Sequence, residues 1–419
     1  MKICIAQTKS LKGNVKSNIE NHLRFVKRAI KLNSDLIIFP ELSITNYEPT
    51  LSQKLSTCIE NDIFNPFQEL ANKNKITIGI GMPTNSEEGI KISTLIFQPN
   101  KKRVIYSKQI LHLDELAYFV CGNSQVILKI KGKRIAIGIC FETLQRVHFL
   151  NAYKKGIDIY IASVAKPING IEKAYNYFPK IAKEFNIPIL LSNCIGNCDN
   201  FVSIGQSAVW NKTGKLINQL NNKNEGLIVY DLESKLTKIY QPIILKGQLT
   251  DLNELFLIYL NGKYELEKNG ILQWTKNYPT KSIIESDLRK GVLYTLKNNN
   301  EIIGAINISE EQETEYKLIK WKFDNSKVLV IHRLVIDPKY QRKGYAKKLM
   351  NFAENFARKN NYSSIRLDAY SQNEKVIDFY KKRNYFIRGD VRFPGREFLF
   401  HCMEKEIVPL TKRKKHQTK

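Results

Sequence analysis

In 419 residues the chain has no run of 18 apolar residues, and its start, MKICIAQTKS, has no signal-peptide core. A spanning helix needs about 20 such residues in a row, and a secretory leader needs an apolar core of its own. Their absence predicts a soluble, cytoplasmic protein with no membrane partner. The two halves share neither period nor motif, which excludes solenoids and propellers. Cysteine is sparse, with seven residues scattered along the chain. An odd, unpaired set predicts a reducing compartment rather than a disulfide scaffold. Cys194 and Cys198 are spaced like half of a zinc site, but neither a second pair nor a histidine stands at ligand spacing. No metal is therefore expected.

Acids are the other shortage: 40 Asp and Glu against 66 Lys and Arg leave a net charge of +26. Such a balance raises the prospect of binding to nucleic acid or an acidic surface. The positive residues are mostly Lys, spread over both halves among Asn and Ile rather than gathered with aromatics, so a nucleic-acid partner is not expected. The one dense cluster is Lys412-Arg413-Lys414-Lys415. Length and composition fit two domains, each able to bury its own core. These are residues 1–235 and 240–408, followed by a basic tail, 409–419. The seam falls within 233–250, where the strand-like LIVYDL gives way to a more polar stretch.

Three short segments of the first half carry chemistry: FPEL with Glu41, YSKQ with Lys108 and IGICFE with Cys140. Each follows an apolar run that reads as a buried strand: 35–39, 104–106 (the return of a hairpin from 93–97) and 134–139. A strand ending on a carboxylate, an amine or a thiol delivers that group to the rim of a sheet, where α/β sites gather. Taken singly, these are a core cysteine, a surface lysine and a helix-start acid. Together they are the equipment for attacking a carbonyl or nitrile carbon. A free thiol of pKa about 8.5 is only slightly ionised at neutral pH. Glu41 can take its proton and later activate water, and burial among Phe39, Pro40 and Leu42 would raise its pKa to suit. Lys108 and the backbone N–H after Cys140 can hold an oxyanion, each donor contributing roughly 3–4 kcal/mol. Glu142 reads as structural, and His148 as a helix residue rather than a partner of the thiol.

In this order and with these flanks, the residues resemble the nitrilase superfamily, the carbon–nitrogen hydrolases. The resemblance runs from Met1 to about Asp231. It includes the opening KICIAQT, a helix from 14 to about 31, and SNCIG…FVSIGQSAVWNKTGKL, similar to the family's late N-x-x-G … G-x-S-x-x-x-x-x-x-G stretch. It implies an αββα sandwich, a Glu41–Lys108–Cys140 triad acting through a thioester, a small amide or N-carbamoyl substrate, and a homo-oligomer. Glu115 matches the second glutamate of many members, which would orient Lys108 and the substrate. The E-x-x-Y-F-x-x-G spacing from Glu115 to Gly122 resembles N-carbamoyl amine hydrolases.

The second half carries an independent signature, IHRLVIDPKYQRKGYAKKLMNFAENFA. A β-branched strand, 328–336, ends at Asp337-Pro338. Then come Gln341, Arg342, Lys343, Gly344, Tyr345 and Ala346, followed by an amphipathic helix with Leu349, Phe352, Ala353 and Phe356 on one face. Gly344 and Ala346 let the backbone approach a pyrophosphate, and the helix start offers unpaired N–H groups to it. Arg342 and Lys343 add charge. With SIRLDAY, Asn373 and FYKKRNY downstream, the segment from about 240 to 407 resembles GNAT-type N-acetyltransferases, an α+β fold with a mixed sheet flanked by helices. That resemblance implies acetyl-CoA as co-substrate and an amine as acceptor. Leu334, Val335 and Ile336 would hold the pantetheine arm, Gln341 to Ala346 the pyrophosphate, and Asn373 the cofactor, while Tyr380 would protonate the leaving thiolate. Residues 251–274 read as acceptor-side helices and 300–308 as an early strand. Asn384 stands where the family often has glycine. No glutamate on the central strand offers a base, the nearest polar residues being His332 and Arg333. Tyr380 also reads as a core aromatic, and Asn373 as a helix cap. The chain is thus expected to combine C–N hydrolysis with acetyl transfer. The competing reading is a single-activity enzyme whose GNAT-like half only senses acetyl-CoA, or whose hydrolase is idle.

Overall fold

The computed structural model describes residues 1–275, 277–298, 301–323 and 327–408. The basic tail 409–419 and Asn300 lie outside the described residues. The chain divides into two compact units, Met1–Gln241 and Pro242–Lys419. Two strands fall within the stretch expected to be the seam. Thr237–Tyr240 pairs with Gly226–Asp231 at the edge of the first unit, and Ile243–Lys246 pairs with Leu293–Asn298 in the second.

Among the described residues the first unit has two main sheets. One runs in the order Thr237–Tyr240, Gly226–Asp231, Lys2–Gln7, Leu36–Ile38, Thr77–Ser86, Gly89–Phe97, Val104–Ser107. The other runs Leu216–Gln219, Ala208–Trp210, Ile189–Asn193, Ile159–Val164, Lys133–Ile139, Ile127–Ile130. Successive side chains of a strand point to opposite faces, and here both faces are covered. Ile3, Ile5, Ile38, Ile135, Ile137, Ile159 and Ile161 meet in one core between the sheets. Cys4, Ala6, Ile37 and Phe39 pack outward on Val26 and Ala29 of helix Val15–Lys31 and on Phe67 and Ala71 of helix Asn65–Asn74. On the far side Ala136, Tyr160 and Ala162 pack on helices Arg146–Lys154 and Ile168–Phe185. The result is an αββα sandwich. Hydroxyls stitch the two sheets: Ser163 Oγ donates to the Phe39 carbonyl at 2.8 Å and Ser192 Oγ to that of Ala6 at 2.6 Å.

The second unit is a mixed sheet in the order Ile243–Lys246, Leu293–Asn298, Glu301–Ser309, Val328–Ile336, Ser364–Tyr370, Phe400–Glu406, Phe386–Val391. Val328–Ile336 and Ser364–Tyr370 are parallel, and their pairing covers only Val328 to Val330 against Ser364 to Arg366. Beyond it the strands part. Arg333 sits at a bulge there with φ +48°. The extra residue shifts the alternation: Leu329 and Ile331 face helix Tyr345–Lys359 before the bulge, and Leu334 and Ile336 after it. Residues 251–274 hold one helix, Leu252–Lys268, not the expected set. Asn269 caps it and Gly270 turns at φ +73°, a glycine stop that leaves 271–274 as loop. The second helix of this region comes later, at Lys281–Lys290.

Candidate active sites

Three strand ends deliver their polar residues to one place. Glu41 follows Leu36–Ile38, Lys108 follows Val104–Ser107, and Cys140 follows Lys133–Ile139 as the first residue of a 3-10 turn. Glu115 closes the short 3-10 helix Leu113–Glu115. Lys108 Nζ donates to Glu41 Oε1 at 2.9 Å and to Glu115 Oε1 at 2.6 Å, and all three residues are at most 2% exposed. Tyr47 Oη and the His112 backbone N–H also donate to Glu115, at 2.9 and 2.8 Å. Two close approaches fix the geometry. A Cβ on Gly81 would lie 2.4 Å from the Pro40 carbonyl oxygen, and one on Gly122 would lie 2.3 Å from that of Ser107. The loops bearing Glu41 and Lys108 therefore rest on bare backbone.

Electrostatics follow from the burial. Desolvation raises the Glu41 pKa against the pull of Lys108. Burial disfavours the Lys108 ammonium, but Glu41, Cys140 and Glu115 outweigh it and raise its pKa. Burial and Glu41 push the Cys140 thiol up to about 12, with Lys166 and Lys108 pulling the other way. Glu41 Oε2 is buried without a hydrogen-bond partner, and the Cys140 thiol lies close enough to lower the Glu41 pKa. Cys140 takes φ +48°, a left-handed conformation that costs a non-glycine residue roughly 1–3 kcal/mol and clusters at functional sites.

Glu142 and His148 hold this constellation from behind. Glu142 accepts from the N–H of Ile139 at 2.7 Å, from Gln109 N–H at 2.6 Å and from Tyr106 Oη at 2.6 Å. It thereby ties the turn bearing Cys140 to the segment after Lys108. His148 bonds through Nε2 to Tyr106 Oη at 2.7 Å and through Nδ1 to Tyr160 Oη at 2.8 Å. Because Tyr106 already donates to Glu142, the pattern assigns the imidazole proton to Nε2. The late motif is a clamp as well. Asn193 Oδ1 accepts from Lys166 N–H at 2.9 Å, and its Nδ2 donates to the carbonyls of Gly205 and Lys166 at 2.8 and 3.2 Å.

In the second unit the parted strands open a cavity of about 980 Å³, at the upper end of ligand pockets of roughly 300–1,000 Å³. Leu334, Val335, Ile336, Gln341, Arg342, Gly344, Tyr345, Ala346, Asn373 and Tyr380 all line it. Lys343 does not: its ammonium turns to the Lys339 carbonyl and the Tyr340 ring. Helix Tyr345–Lys359 starts after Gly344, at φ +82°, with no side-chain cap. Asn373 caps helix Glu374–Lys381 through the Val376 N–H and faces the cavity too. Tyr380 is 6% exposed, its hydroxyl makes no hydrogen bond among the described residues, and burial raises its pKa. Asn384 takes φ +64°, the conformation that glycine would adopt freely. One acid was missed by the sequence reading. Asp368, in Ser364–Tyr370, lines the cavity beside His332 and accepts from Tyr316 Oη at 2.8 Å. Burial raises its pKa against Tyr316 and His332. The available signal was alternation, since Ile365, Leu367 and Ala369 pack on the helices and Asp368 falls on the other face.

An αββα sandwich with a buried Glu–Lys–Glu cluster beside a half-buried cysteine, joined in one chain to a mixed sheet that opens on a large cavity, defines an enzyme built from two catalytic folds. The chain belongs to the carbon-nitrogen hydrolase family, whose profile matches residues 2–241. The profile of the acetyltransferase (GNAT) family matches residues 256–385. The chain is 27% identical over 256 residues to the glutamine-dependent NAD(+) synthetase of Acinetobacter baylyi, covering 58% of this chain and 46% of that protein. It thus spans about half the length of that relative. It is 26% identical over 233 residues to a Schizosaccharomyces pombe protein named "Probable nitrilase C965.09", covering 52% of this chain and 84% of that one. A mutant of the amidase from Nesterenkonia sp. AN1, solved with butyramide, shares the fold. Its TM-score is 0.51 at 20% identity, over 56% of this chain and 92% of that one. Among the described residues no helix is long and apolar enough to cross a membrane, and no three His, Cys, Asp or Glu side chains are grouped to hold a metal ion.

Proposed function

We propose that the first unit hydrolyses an amide or N-carbamoyl C–N bond through a Cys140 thioester, and that the second transfers acetyl from acetyl-CoA to an amine. The observation that carries the hydrolase is the state of Glu41: one oxygen is held by Lys108, and the other is buried, unpartnered and beside the thiol. The thiol, pushed up to about 12, stays protonated at rest, so its proton moves to Glu41 as the sulfur attacks the carbonyl. The oxyanion is received by the Lys108 ammonium and the Phe141 N–H, one of the unpaired donors that begin a helical turn. Collapse breaks the C–N bond, and the Glu41 proton leaves with the amine. Water then gives a proton to Glu41 and attacks the thioester, and the returning proton restores the thiol. Glu115, with donors on both oxygens, holds Lys108 in place. The amidase and nitrilase names of the relatives support this reading.

In the second unit the residues fit acetyl-CoA, which when bound supplies an acetyl thioester. The strand backbone at Leu334 to Ile336 is unpaired toward Ser364–Tyr370, and the uncapped helix start beside Arg342 suits a pyrophosphate. Asp368, its pKa raised, takes a proton from the acceptor ammonium, and Tyr380 holds one for the departing sulfur. Seven free cysteines, including Cys194 and Cys198 with sulfurs 3.9 Å apart, support a cytoplasmic setting. Self-association remains the expectation from the family.

The test is intact-mass analysis and ammonia release for wild type and Cys140→Ala over small amides and N-carbamoyl amines. We expect a Cys140-dependent adduct and at least about 10⁴-fold loss of turnover in the variant; ammonia release surviving Cys140→Ala overturns the mechanism. In parallel, acetyl-CoA binding without turnover over an amine panel would replace the transferase with the sensor reading.

A further inference from the structure

Two guanidiniums of the second unit meet the Tyr278 ring, and only one has a counter-ion. Arg333 donates from Nε and Nη2 to the Asp287 carboxylate at 3.0 and 2.7 Å, and from Nη1 to Tyr278 Oη at 2.9 Å. Arg396 stands 5.6 Å from the centre of the same ring and lines the cavity. Its side chain makes no hydrogen bond or ion pair among the described residues, and its Nη1 is buried without a partner. Burial disfavours its charge, against the pull of Tyr278, Tyr370 and Asp368. The placement is built by a turn. In Phe393-Pro394-Gly395-Arg396 the Arg396 N–H donates to the Phe393 carbonyl at 3.1 Å, and Gly395 takes φ +69°, the geometry that proline second and glycine third favour. Phe393 anchors the turn edge-on against Phe400, ring centres 5.0 Å apart, and Phe400 packs on Tyr370 at 5.1 Å. Tyr370 shares its sheet face with Asp368, since alternate residues of a strand point the same way. Ile365, Leu367 and Ala369 pack with helix Tyr345–Lys359 on the opposite face. Arg396 therefore serves the Asp368 side of the cavity, and the helix start beside Arg342 serves the other.

A guanidinium does not give up its proton, so its buried, unpaired N–H groups keep their desolvation cost until an acceptor arrives. Asp368 already accepts from Tyr316 Oη and forms no ion pair with Arg396 among the described residues. The cavity thus presents an acid and a separate, unsatisfied cation on one side, which is the complement of a zwitterion. The planar fork of arginine matches a carboxylate through two parallel hydrogen bonds. We propose that Arg396 is a carboxylate-binding specificity residue and that the acetyl acceptor is an amino acid, its ammonium at Asp368 and its carboxylate on Arg396. The inference rests on the second unit being an acetyltransferase and adds the acceptor class.

The test uses the full-length protein and a panel of amino acids, each paired with its carboxamide, which keeps the size and the amine but removes the charge of the carboxylate. For each pair the ratio of kcat/KM is compared between wild type and Arg396→Met, so that the differing basicity of the two amines cancels. Acetyl-CoA affinity is measured separately by calorimetry, as is binding of the amino acid to the CoA-saturated protein. We expect wild type to prefer the amino acids, and Arg396→Met to lower that preference and the amino-acid affinity at least about 10-fold. Acetyl-CoA affinity should be unchanged, which also shows that the variant folds, and Arg396→Lys should restore part of the preference. A preference that survives Arg396→Met, with transfer intact, overturns the inference and leaves the transferase standing. Wild type favouring the carboxamides, or favouring O-phosphoethanolamine over every amino acid, overturns it too. A 10-fold loss of acetyl-CoA affinity with the preference retained assigns Arg396 to the co-substrate and likewise overturns it. Acetyl-CoA binding with no transfer to any amine removes the transferase reading, and this inference with it.

Discussion

In the first unit three ionisable side chains, Glu41, Lys108 and Glu115, are buried together beside the half-buried Cys140, the lysine held at 2.9 and 2.6 Å by the two acids. In the second, the cavity is lined by Leu334 to Ile336, whose backbone is unpaired toward Ser364–Tyr370, by Gln341, Arg342, Gly344, Tyr345 and Ala346, and by the acid Asp368. The contrast follows from the tasks proposed for them. Forming and breaking a covalent bond to sulfur calls for charges fixed before substrate arrives, because preorganised dipoles need no rearrangement in the transition state. Holding a long co-substrate calls for backbone donors and room. A site made of side chains fails when one is removed; a site made of backbone tolerates most substitutions around it.

The sharpest way to break this contrast is Lys108→Met. Without the ammonium, Glu41 and Glu115 face each other across a buried gap. We expect roughly 10³-fold loss of hydrolysis and about 3–5 kcal/mol loss of stability in the first unit, read by turnover and by denaturant unfolding. Unchanged stability would mean that the cluster is not the tightly coupled unit its distances describe. In the second unit the corresponding change, Asp368→Asn, removes one acid from an open wall. Acetyl transfer should fall about 10²–10³-fold with acetyl-CoA affinity unchanged. The wild-type rate should decline as pH drops through a value above the ordinary aspartate range of about 3.9, and the variant should lack that decline. Equal kcat in both proteins would sink the assignment of Asp368 as base.

What could be read beforehand divides along the same line. Glu41, Lys108 and Cys140 were legible because each ends an apolar run, and a polar terminator of a buried strand has few places to go. Val328–Ile336 and the glycine turn before Tyr345 were legible for similar reasons of pattern and punctuation. Asp368 was passed over because the acid was sought on Val328–Ile336, while the parting of the two parallel strands exposes the neighbour. Thr237–Tyr240 looked like linker because an edge strand with alternating polar residues carries little apolar signal. Strand order was hidden for a different reason: with both faces covered, Lys2–Gln7 and Ile159–Val164 are apolar throughout, so composition gives no direction.

The smallest expected effect tests the network behind the hydrolase site, and its sign can be worked out. His148 is 1% exposed between two phenols, and burial lowers its pKa from the usual 6.5 to about 4. Between those values the unfolded chain binds a proton that the folded chain refuses. The contribution to stability is therefore complete above about pH 6.5 and is lost as pH falls through about 4, a change of about 3 kcal/mol. Urea unfolding of wild type and His148→Gln at intervals across that window isolates it, because the glutamine does not titrate. The stability advantage of wild type over the variant should shrink by about 3 kcal/mol toward the acid end. Parallel curves would show that His148 takes up its proton in the folded state, and that the chain from Tyr160 through His148 and Tyr106 to Glu142 is wetter than its hydrogen bonds imply. The preorganisation claimed for Cys140 would then have to rest on Lys108 and Glu41 alone.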